Sequence, residues 1–85
     1  MELTKEYVQR ITREKLLSFE GVSEAYEEVI NEIFKKAKSG LTNYLLYRDS
    51  FENVEIYYLV LKLLKLDDYD ITTYNNDNEF VDIGW

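Results

Sequence analysis

The chain has 85 residues and a formal net charge of −7, and it contains neither cysteine nor histidine. These absences exclude a disulfide scaffold, a zinc finger and thiol catalysis, and they remove the residue that most often transfers protons near pH 7; we therefore predict that the protein is not an enzyme and has no cofactor and no metal site. The acidic balance argues against direct binding to nucleic acid, and the longest apolar run, residues 56–61, is too short to cross a membrane.

The first predicted helix covers residues 3–17, with Thr4 as its N-cap and Gly21 as the residue that stops it. The apolar side chains near its end are expected to tuck into the core. Four further apolar side chains share one face at helical spacing. They are Leu3, Tyr7, Val8 and Ile11.

The second predicted helix begins at Ser23, a good N-cap, and runs to about Ser39, just before Gly40. Acidic residues fill its first half and lysines fill its last turns, which matches the helix dipole. A continuous apolar stripe along this helix predicts that one side packs on the core. The stripe consists of Tyr26, Val29, Ile30, Ile33, Phe34 and Ala37.

A strand and a third helix are predicted next. The strand covers residues 41–48 and has apolar side chains on both faces, so it is either covered on both faces or lies against a partner. The helix covers about residues 51–66, with Asp49 or Ser50 as its cap and Glu52 at capping-box spacing from Asp49. Its apolar residues go most of the way round, so we expect burial on more than one side, either between sheet and helices or in a protein interface.

The end of the chain predicts a β-hairpin, with strands at 69–74 and 79–85 and a turn at 75–78. The element order is therefore α-α-β-α-β-β. Residues 1–85 are predicted to form a single small α+β domain in which a sheet of three mixed strands packs against helices. The expected core residues are Ile30, Ile33, Phe34, Leu45, Leu61, Leu64, Ile71, Val81 and Ile83.

Charge is distributed unevenly along the chain. Residues 66–85 carry six acids and no base, with four aromatic side chains among them, while residues 1–65 are nearly neutral. A local negative field with aromatic anchors favours a basic protein partner. The candidate partner-binding residues are Asp67, Asp68, Tyr69, Asp70, Tyr74, Asp77, Glu79 and Asp82.

These residues also admit other interpretations. Asp67, Asp68 and Asp70 offer the clustered oxygens of a cation site, but the glycine of an EF-hand loop is absent, so a solvated loop is favoured. Asp70 and Asp82 face each other across the hairpin in one register, which would hint at catalysis, although a solvated sheet face is the simpler interpretation. Two or more of the following tyrosines are expected to contact a partner: Tyr47, Tyr57, Tyr58, Tyr69 and Tyr74.

The element order over residues 22–85 resembles that of small bacteriophage and mobile-element accessory proteins. The Tyr-rich, acidic hairpin with an Asn/Asp turn and the final strand VDIGW at 81–85 carry this resemblance. Proteins of this class that have a known role often block a host or defence protein, and anti-CRISPR proteins are among them. The resemblance implies an inhibitor of that class, located in the cytoplasm of a host cell, and it assigns no site residues.

The leading prediction is a non-catalytic inhibitor or interaction protein. Its acidic hairpin would dock on a basic groove of a nucleic-acid-handling protein, such as a CRISPR effector, with carboxylates at phosphate positions. The alternative is a structural or regulatory homo-oligomer assembled through the apolar third helix, and a homodimer is left open. A third and least favoured interpretation is a small-molecule binder or enzyme that uses an aromatic pocket.

Overall fold

The computed structural model describes residues 4–73 and 79–85. Its elements follow the predicted order α-α-β-α-β-β, which confirms the α+β class. A short 3₁₀ turn, Arg48–Ser50, joins the first strand to the third helix. The helices are α1 (Lys5–Leu17), α2 (Val22–Lys38) and α3 (Val54–Leu66), and the strands are β1 (Asn43–Tyr47), β2 (Asp70–Thr73) and β3 (Phe80–Gly84).

The last strand lies in the middle of the sheet, whose order is β1-β3-β2. The predicted hairpin is confirmed, since β2 pairs antiparallel with β3. The prediction of mixed strands was wrong, because β1 also pairs antiparallel with β3. β1 and β2 run in the same direction, but β3 separates them, so every direct pairing is antiparallel.

Only one face of the sheet is covered by helices. The inner face carries Leu46, Val81 and Ile83, all of which are buried. On the other side of β1, the side chains of Leu45 and Tyr47 are exposed. The two apolar faces predicted for this strand are therefore present, but residues 4–73 and 79–85 cover only one of them.

Helix α3 is the centre of the fold. Tyr57, Val60, Leu63 and Leu64 on this helix are fully buried, and α3 contacts α1, α2 and β2. This confirms that an apolar helix of this kind is buried on more than one side. The burial occurs within the chain, between sheet and helices.

The helix ends correct two predicted caps. Ser23 does not cap α2, because Gly21 takes the N-cap position with φ +83° and the helix begins at Val22. A Cβ at Gly21 would also lie 3.0 Å from Ile56 Cδ1, so both backbone conformation and close packing favour glycine there. α1 ends at Leu17, as predicted, but Ser18 rather than Gly21 is its C-cap.

The third helix begins later than predicted. Asn53 is its N-cap, and its side-chain oxygen accepts a hydrogen bond from the backbone N–H of Glu55 at 2.9 Å. Asp49 and Ser50, the predicted caps, lie in the 3₁₀ turn instead. The Thr4 cap of α1 is confirmed, since its hydroxyl oxygen accepts from the Tyr7 N–H at 3.1 Å.

Helix α1 turns its apolar face away from the core. Tyr7, Val8 and Ile11 are 42%, 47% and 50% exposed. The inward side of the helix includes Arg13, which is partly buried, and Leu16, which is buried as expected for the end of this helix. The remaining member of the predicted apolar face, at position 3, lies outside the described residues.

The predicted core is largely correct. Ile33, Leu64, Val81 and Ile83 are buried, and Ile30, Leu61 and Ile71 pack against them in partly buried positions. Two members were wrong, namely Phe34 and Leu45. Phe34 is 59% exposed at the margin of the α2 stripe, where the Lys38 ammonium lies 4.6 Å from its ring centroid. Leu45 is on the uncovered face of the sheet.

Two helices end in the same left-handed turn with different residues. After α2, Gly40 has φ +85°, and the next N–H, that of Leu41, reaches Lys36 O at 3.0 Å. After α3, Asp68 has φ +68°, and the N–H of Tyr69 reaches Leu64 O at 3.0 Å. These are Schellman turns, in which glycine is the preferred residue, so Asp68 is a disfavoured choice.

Replacing Leu64 with alanine should lower the free energy of unfolding by about 2–5 kcal/mol, because a cavity would open at a fully buried site. The matched control is Phe34→Ala, which should cost less than about 1 kcal/mol because that ring is mostly in solvent. Urea unfolding followed by circular dichroism measures both. Equal losses at the two positions would contradict the placement of the core.

Replacing Asp68 with glycine should raise the free energy of unfolding by up to about 1 kcal/mol, since the left-handed backbone would no longer carry a Cβ. The reciprocal change, Gly40→Asp, should lower it by a similar amount. A Cβ at Gly40 would meet no atom within 4 Å, so this control adds no steric clash and repeats both the left-handed strain and the charge at a helix C-terminus. Destabilisation by Asp68→Gly would show that the Asp68 side chain makes a contact that outweighs the strain.

Candidate protein-interaction surface

The acids near the end of the chain do not form one surface. The Asp67 side chain is 30% exposed; the Tyr26 hydroxyl donates a hydrogen bond to one of its carboxylate oxygens, and the Arg13 guanidinium pairs with the other. Tyr26 is only 7% exposed. Asp67 therefore joins α1 and α2 to the end of α3, and both of its carboxylate oxygens already have partners within the chain.

This contact was not apparent from the sequence. Arg13 and Asp67 are 54 positions apart, and Arg13 lies on the side of α1 opposite the obvious apolar face. The Arg13 guanidinium also lies 5.5 Å from the centroid of the Tyr26 ring, close enough for a cation–π interaction. No local pattern distinguishes Asp67 from the aspartate that follows it.

Asp68 has the opposite character. Its side chain is exposed and forms no hydrogen bond or ion pair with another described residue. It occupies a left-handed position, and a negative charge at a helix C-terminus is unfavourable for the helix dipole. Asp68 is therefore unfavourable for the fold in two ways, through its left-handed backbone and through its charge at a helix C-terminus.

The outer face of the sheet brings two predicted site residues together. Asp70 pairs with Gly84 and Asp82 pairs with Thr72, so the two carboxylates share this face but are not opposite each other. The register in which they face each other is therefore not the one that forms. Asp82 also accepts a hydrogen bond from the Asn43 side-chain amide at 3.1 Å.

Apolar side chains occupy the neighbouring part of the same face. Leu45 is opposite Asp82, and Tyr47 is opposite Phe80. The Tyr47 and Phe80 rings have centroids 5.5 Å apart. We define the outer face as Leu45, Tyr47, Asp70, Phe80 and Asp82. It combines an acidic part with an apolar part.

The remaining predicted partner-binding residues lie on different parts of the molecule. Glu79 is exposed just before β3. Tyr69 is partly buried and, with Phe34 and Trp85, lines a shallow apolar pocket of about 240 Å³ on the other side of the molecule. Positions 74 and 77, the predicted Tyr and Asp of the hairpin turn, lie outside the described residues.

The tyrosines predicted to contact a partner also differ in exposure. Tyr47 and Tyr58 are exposed, whereas Tyr57 is fully buried against Phe51. Burial, and then the neighbouring Tyr58, raise the pKa of Tyr57, while Arg48 acts in the opposite direction. The Tyr57 hydroxyl has no hydrogen-bond partner among residues 4–73 and 79–85. As a buried residue, it is not available to a partner.

The structure also contains a cleft that was not predicted, on the side of β1 opposite the outer face. It lies between α2, β1 and residues 50–56, and it has a volume of about 490 Å³. Its apolar floor includes Val29, Leu46 and Ile56. Its walls carry four carboxylates and no basic side chain, namely Glu24, Glu28, Glu32 and Glu52.

The negative charge of the cleft affects the pKa of Tyr44, which lines it. Its pKa is raised, first by burial and then by the negative charge of Glu32. The first three wall glutamates are four residues apart, so a sequence pattern alone interprets them as a solvated helix face. The opposite wall comes from residues 18 or more positions later, which is why the concave shape could not be anticipated.

Neither a metal site nor a membrane span is found in the described part of the chain. Among residues 4–73 and 79–85, no three acidic side chains are placed to hold a metal ion together. None of the helices described there has both the length and the apolarity that a membrane crossing requires.

No family model matches this sequence, and searches of curated proteins and of solved structures also gave no match. The resemblance to phage accessory proteins is therefore a hypothesis based on composition and element order alone.

The contact between Tyr26 and Asp67 should be measurable as a coupling energy. Tyr26→Phe should lower the free energy of unfolding by about 1–3 kcal/mol, because a partly buried hydrogen bond to a carboxylate is lost. Asp67→Asn should also destabilise, and the double variant should lose less than the sum of the two, with a coupling of at least about 0.5 kcal/mol. Thermal and urea unfolding of the four proteins give the cycle.

A second cycle provides the control. Tyr44 makes no recorded hydrogen bond to Asp67, so Tyr44→Phe combined with Asp67→Asn should be additive within about 0.5 kcal/mol. Additivity in both cycles would show that Asp67 does not serve as the link between α2 and α3.

Proposed function

We propose that this chain is a non-catalytic interaction protein that binds a basic surface of a nucleic-acid-handling protein through its outer face. One observation carries the proposal: the uncovered side of the sheet joins an exposed apolar patch to carboxylates, and the three strands contain no lysine or arginine. An exposed apolar patch with a polar rim is typical of an interaction site.

The chemistry of the outer face fits a surface that normally binds phosphates. Asp70 and Asp82 would accept charge-assisted hydrogen bonds from arginine or lysine side chains at phosphate positions. Tyr47 and Leu45 would supply contact area that loses water on binding. The exposed Asp68 and Glu79 would add attraction at the rim, where charge mainly increases the association rate and the specificity.

An inhibitor of the phage type, including an anti-CRISPR-like protein, is the form of this function that we favour, on the grounds of the resemblance described above. The homo-oligomer assembled through α3 is less well supported. Four side chains of that helix are already fully buried within the chain, so few of its apolar residues are left for a second copy.

The proposal is tested by reversing charges that the fold does not need. The variant Asp68→Lys, Asp70→Lys, Glu79→Lys changes three exposed acids and leaves Asp67 and Asp82 intact. The matched control, Glu14→Lys, Glu20→Lys, Glu27→Lys, changes three exposed acids on other surfaces by the same total charge. Both should unfold within a few degrees of the unmodified protein, because exposed carboxylates contribute little to stability.

Each protein is immobilised and exposed to a bacterial lysate, and captured proteins are identified by mass spectrometry. We expect the unmodified protein and the control to retain the same basic nucleic-acid-binding protein, and the outer-face variant to lose it. Affinity for the purified partner should fall at least about tenfold in that variant, and retention should decrease as salt screens the charges beyond a Debye length of about 8 Å. Equal capture by all three proteins would exclude the outer face as the binding surface.

A further inference from the structure

Strand β1 has one open edge. It pairs with β3 on one side, and no strand of the described residues lies on the other. The Arg48 N–H donates to Glu79 O at 2.8 Å. The Trp85 N–H donates to Thr42 O at 3.1 Å. Because bonded and non-bonded pairs alternate in an antiparallel ladder, the even-numbered residues of 42–48 bond to β3. The residues whose backbone N–H and C=O groups point toward the open edge are Asn43, Leu45 and Tyr47.

This edge lacks the features that usually protect an exposed strand, which are charged side chains, prolines and bulges. β1 has the sequence NYLLY and pairs with β3 over five consecutive residues without a bulge. Its outward-pointing N–H and C=O groups form no hydrogen bond with another described residue. An alternating row of backbone donors and acceptors is matched by an extended peptide segment, which adds itself to the sheet as a further strand.

The acidic cleft lies beside the same edge. Tyr44 and Leu46, the inward-facing residues of β1, both line the cleft, whereas no residue of β3 does. The cleft is therefore on the open side of β1. Neighbouring strands place their side chains next to each other on each face of a sheet. Two alternate side chains of a strand added to β1 would consequently enter the cleft beside Tyr44 and Leu46.

The cleft is suited to basic side chains. Glu24 and Glu28 on one wall and Glu52 on the other are exposed, and they form no ion pair with a described residue. Glu32 is already paired with Lys35 at 3.4 Å, so three carboxylates remain for a ligand. The apolar floor would lie under the aliphatic stems of lysine or arginine, whose charged ends would reach the walls.

We propose that the open edge of β1 binds an extended segment of a partner protein as an added strand, and that the cleft selects a segment with lysine or arginine at two alternate positions. The backbone of the segment would pair with the free groups of β1. Its two basic side chains would enter the cleft. This contact goes beyond the proposed function, because it does not require the carboxylates of the outer face.

A second copy of this chain fits the edge less well than a basic segment. Two β1 strands would pair antiparallel about Leu45, which would place Tyr44 and Leu46 of one copy, instead of a basic side chain, beside the cleft of the other. The same arrangement would bring the carboxylates of two clefts together in chains that each carry a net charge of −7. Like charges that approach in this way oppose association.

Synthetic peptides test the proposal with the full chain. The probe is a capped peptide of about eight alternating lysine and valine residues, which is long enough to span β1. We expect a dissociation constant on the order of 10–100 μM by titration calorimetry. In NMR spectra of the labelled chain, the amides of Asn43, Leu45 and Tyr47 should shift and become protected from hydrogen exchange. Absence of binding at about 1 mM peptide would overturn the proposal.

Two control peptides separate the two parts of the contact. The same peptide with glutamate in place of lysine should bind at least about tenfold more weakly, because its charges would meet the carboxylates of the cleft. The lysine peptide with N-methyl groups on alternate backbone amides should also lose at least about tenfold, because it cannot donate to the edge of β1. Equal binding of the glutamate peptide would overturn selection by the cleft, and equal binding of the N-methylated peptide would overturn strand addition.

Variants of the chain test the same two parts. Glu28→Lys, Glu52→Lys should weaken binding of the lysine peptide at least about tenfold, whereas Glu20→Lys, Glu27→Lys changes the charge equally outside the cleft and should have a smaller effect. Leu45→Pro removes an N–H that faces the open edge and keeps the ladder to β3, so it should also lose about tenfold. Leu45→Ala keeps that N–H and is its control. If circular dichroism shows that Leu45→Pro is unfolded, the N-methylated peptide decides the point.

Two further measurements distinguish this contact from the alternatives. The outer-face variant Asp68→Lys, Asp70→Lys, Glu79→Lys should bind the lysine peptide within about threefold of the unmodified chain, because none of its changes lies in the cleft or on β1. A complete loss in that variant would overturn the proposal in favour of the outer face. Sedimentation equilibrium of the chain alone should show a monomer. A dimer that Leu45→Pro abolishes would show that a second copy occupies the edge and would also overturn the proposal.

Discussion

The fold depends on the burial of α3. An 85-residue chain has few elements with which to form a core, and this one places its most apolar helix at the centre. Tyr57, Val60, Leu63 and Leu64 are fully buried there, in contact with α1, α2 and β2. Helices α1 and α2 and strand β2 are used to cover α3. Among the described residues, nothing covers the outer face of the sheet or the apolar side of α1, because the helices pack on or beside α3 instead.

Much of this arrangement could be predicted from the sequence, since it depends on local periodicity. The 3.6-residue pattern of α2, the glycine at 40 and the alternation in 79–85 all identified real elements. The caps failed at Ser23 and Asp49 because tight turns at 18–21 and 48–53 move the helix starts, and sequence preference does not reveal which of several polar residues has the required backbone geometry. Phe34 and Leu45 were assigned to the core because periodicity shows which side of an element is apolar. It does not show how much of that side the neighbouring elements cover.

The candidate site was harder to predict than the fold, and the reason is visible in two adjacent residues. Asp67 and Asp68 are chemically identical, but one is held by Tyr26 and Arg13 and the other is exposed in a left-handed turn. Only the path of the chain between α1 and α3 creates this difference. The acidic segment was therefore correctly recognised as unusual, but its division into a structural carboxylate and exposed ones depends on tertiary contacts.

The same Asp67 contact explains why α1 exposes its apolar side. Arg13 must face the end of α3 to reach Asp67, and Leu16 must face the core, so the last turns of α1 set the rotation of the whole helix. With that rotation, residues 7, 8 and 11 are carried to the outside by helical geometry alone. Turning them inward would remove Arg13 from Asp67 and leave a partly buried carboxylate with the Tyr26 hydroxyl as its sole recorded partner. The exposure of residues 7, 8 and 11 is therefore a consequence of the interaction that joins the three helices.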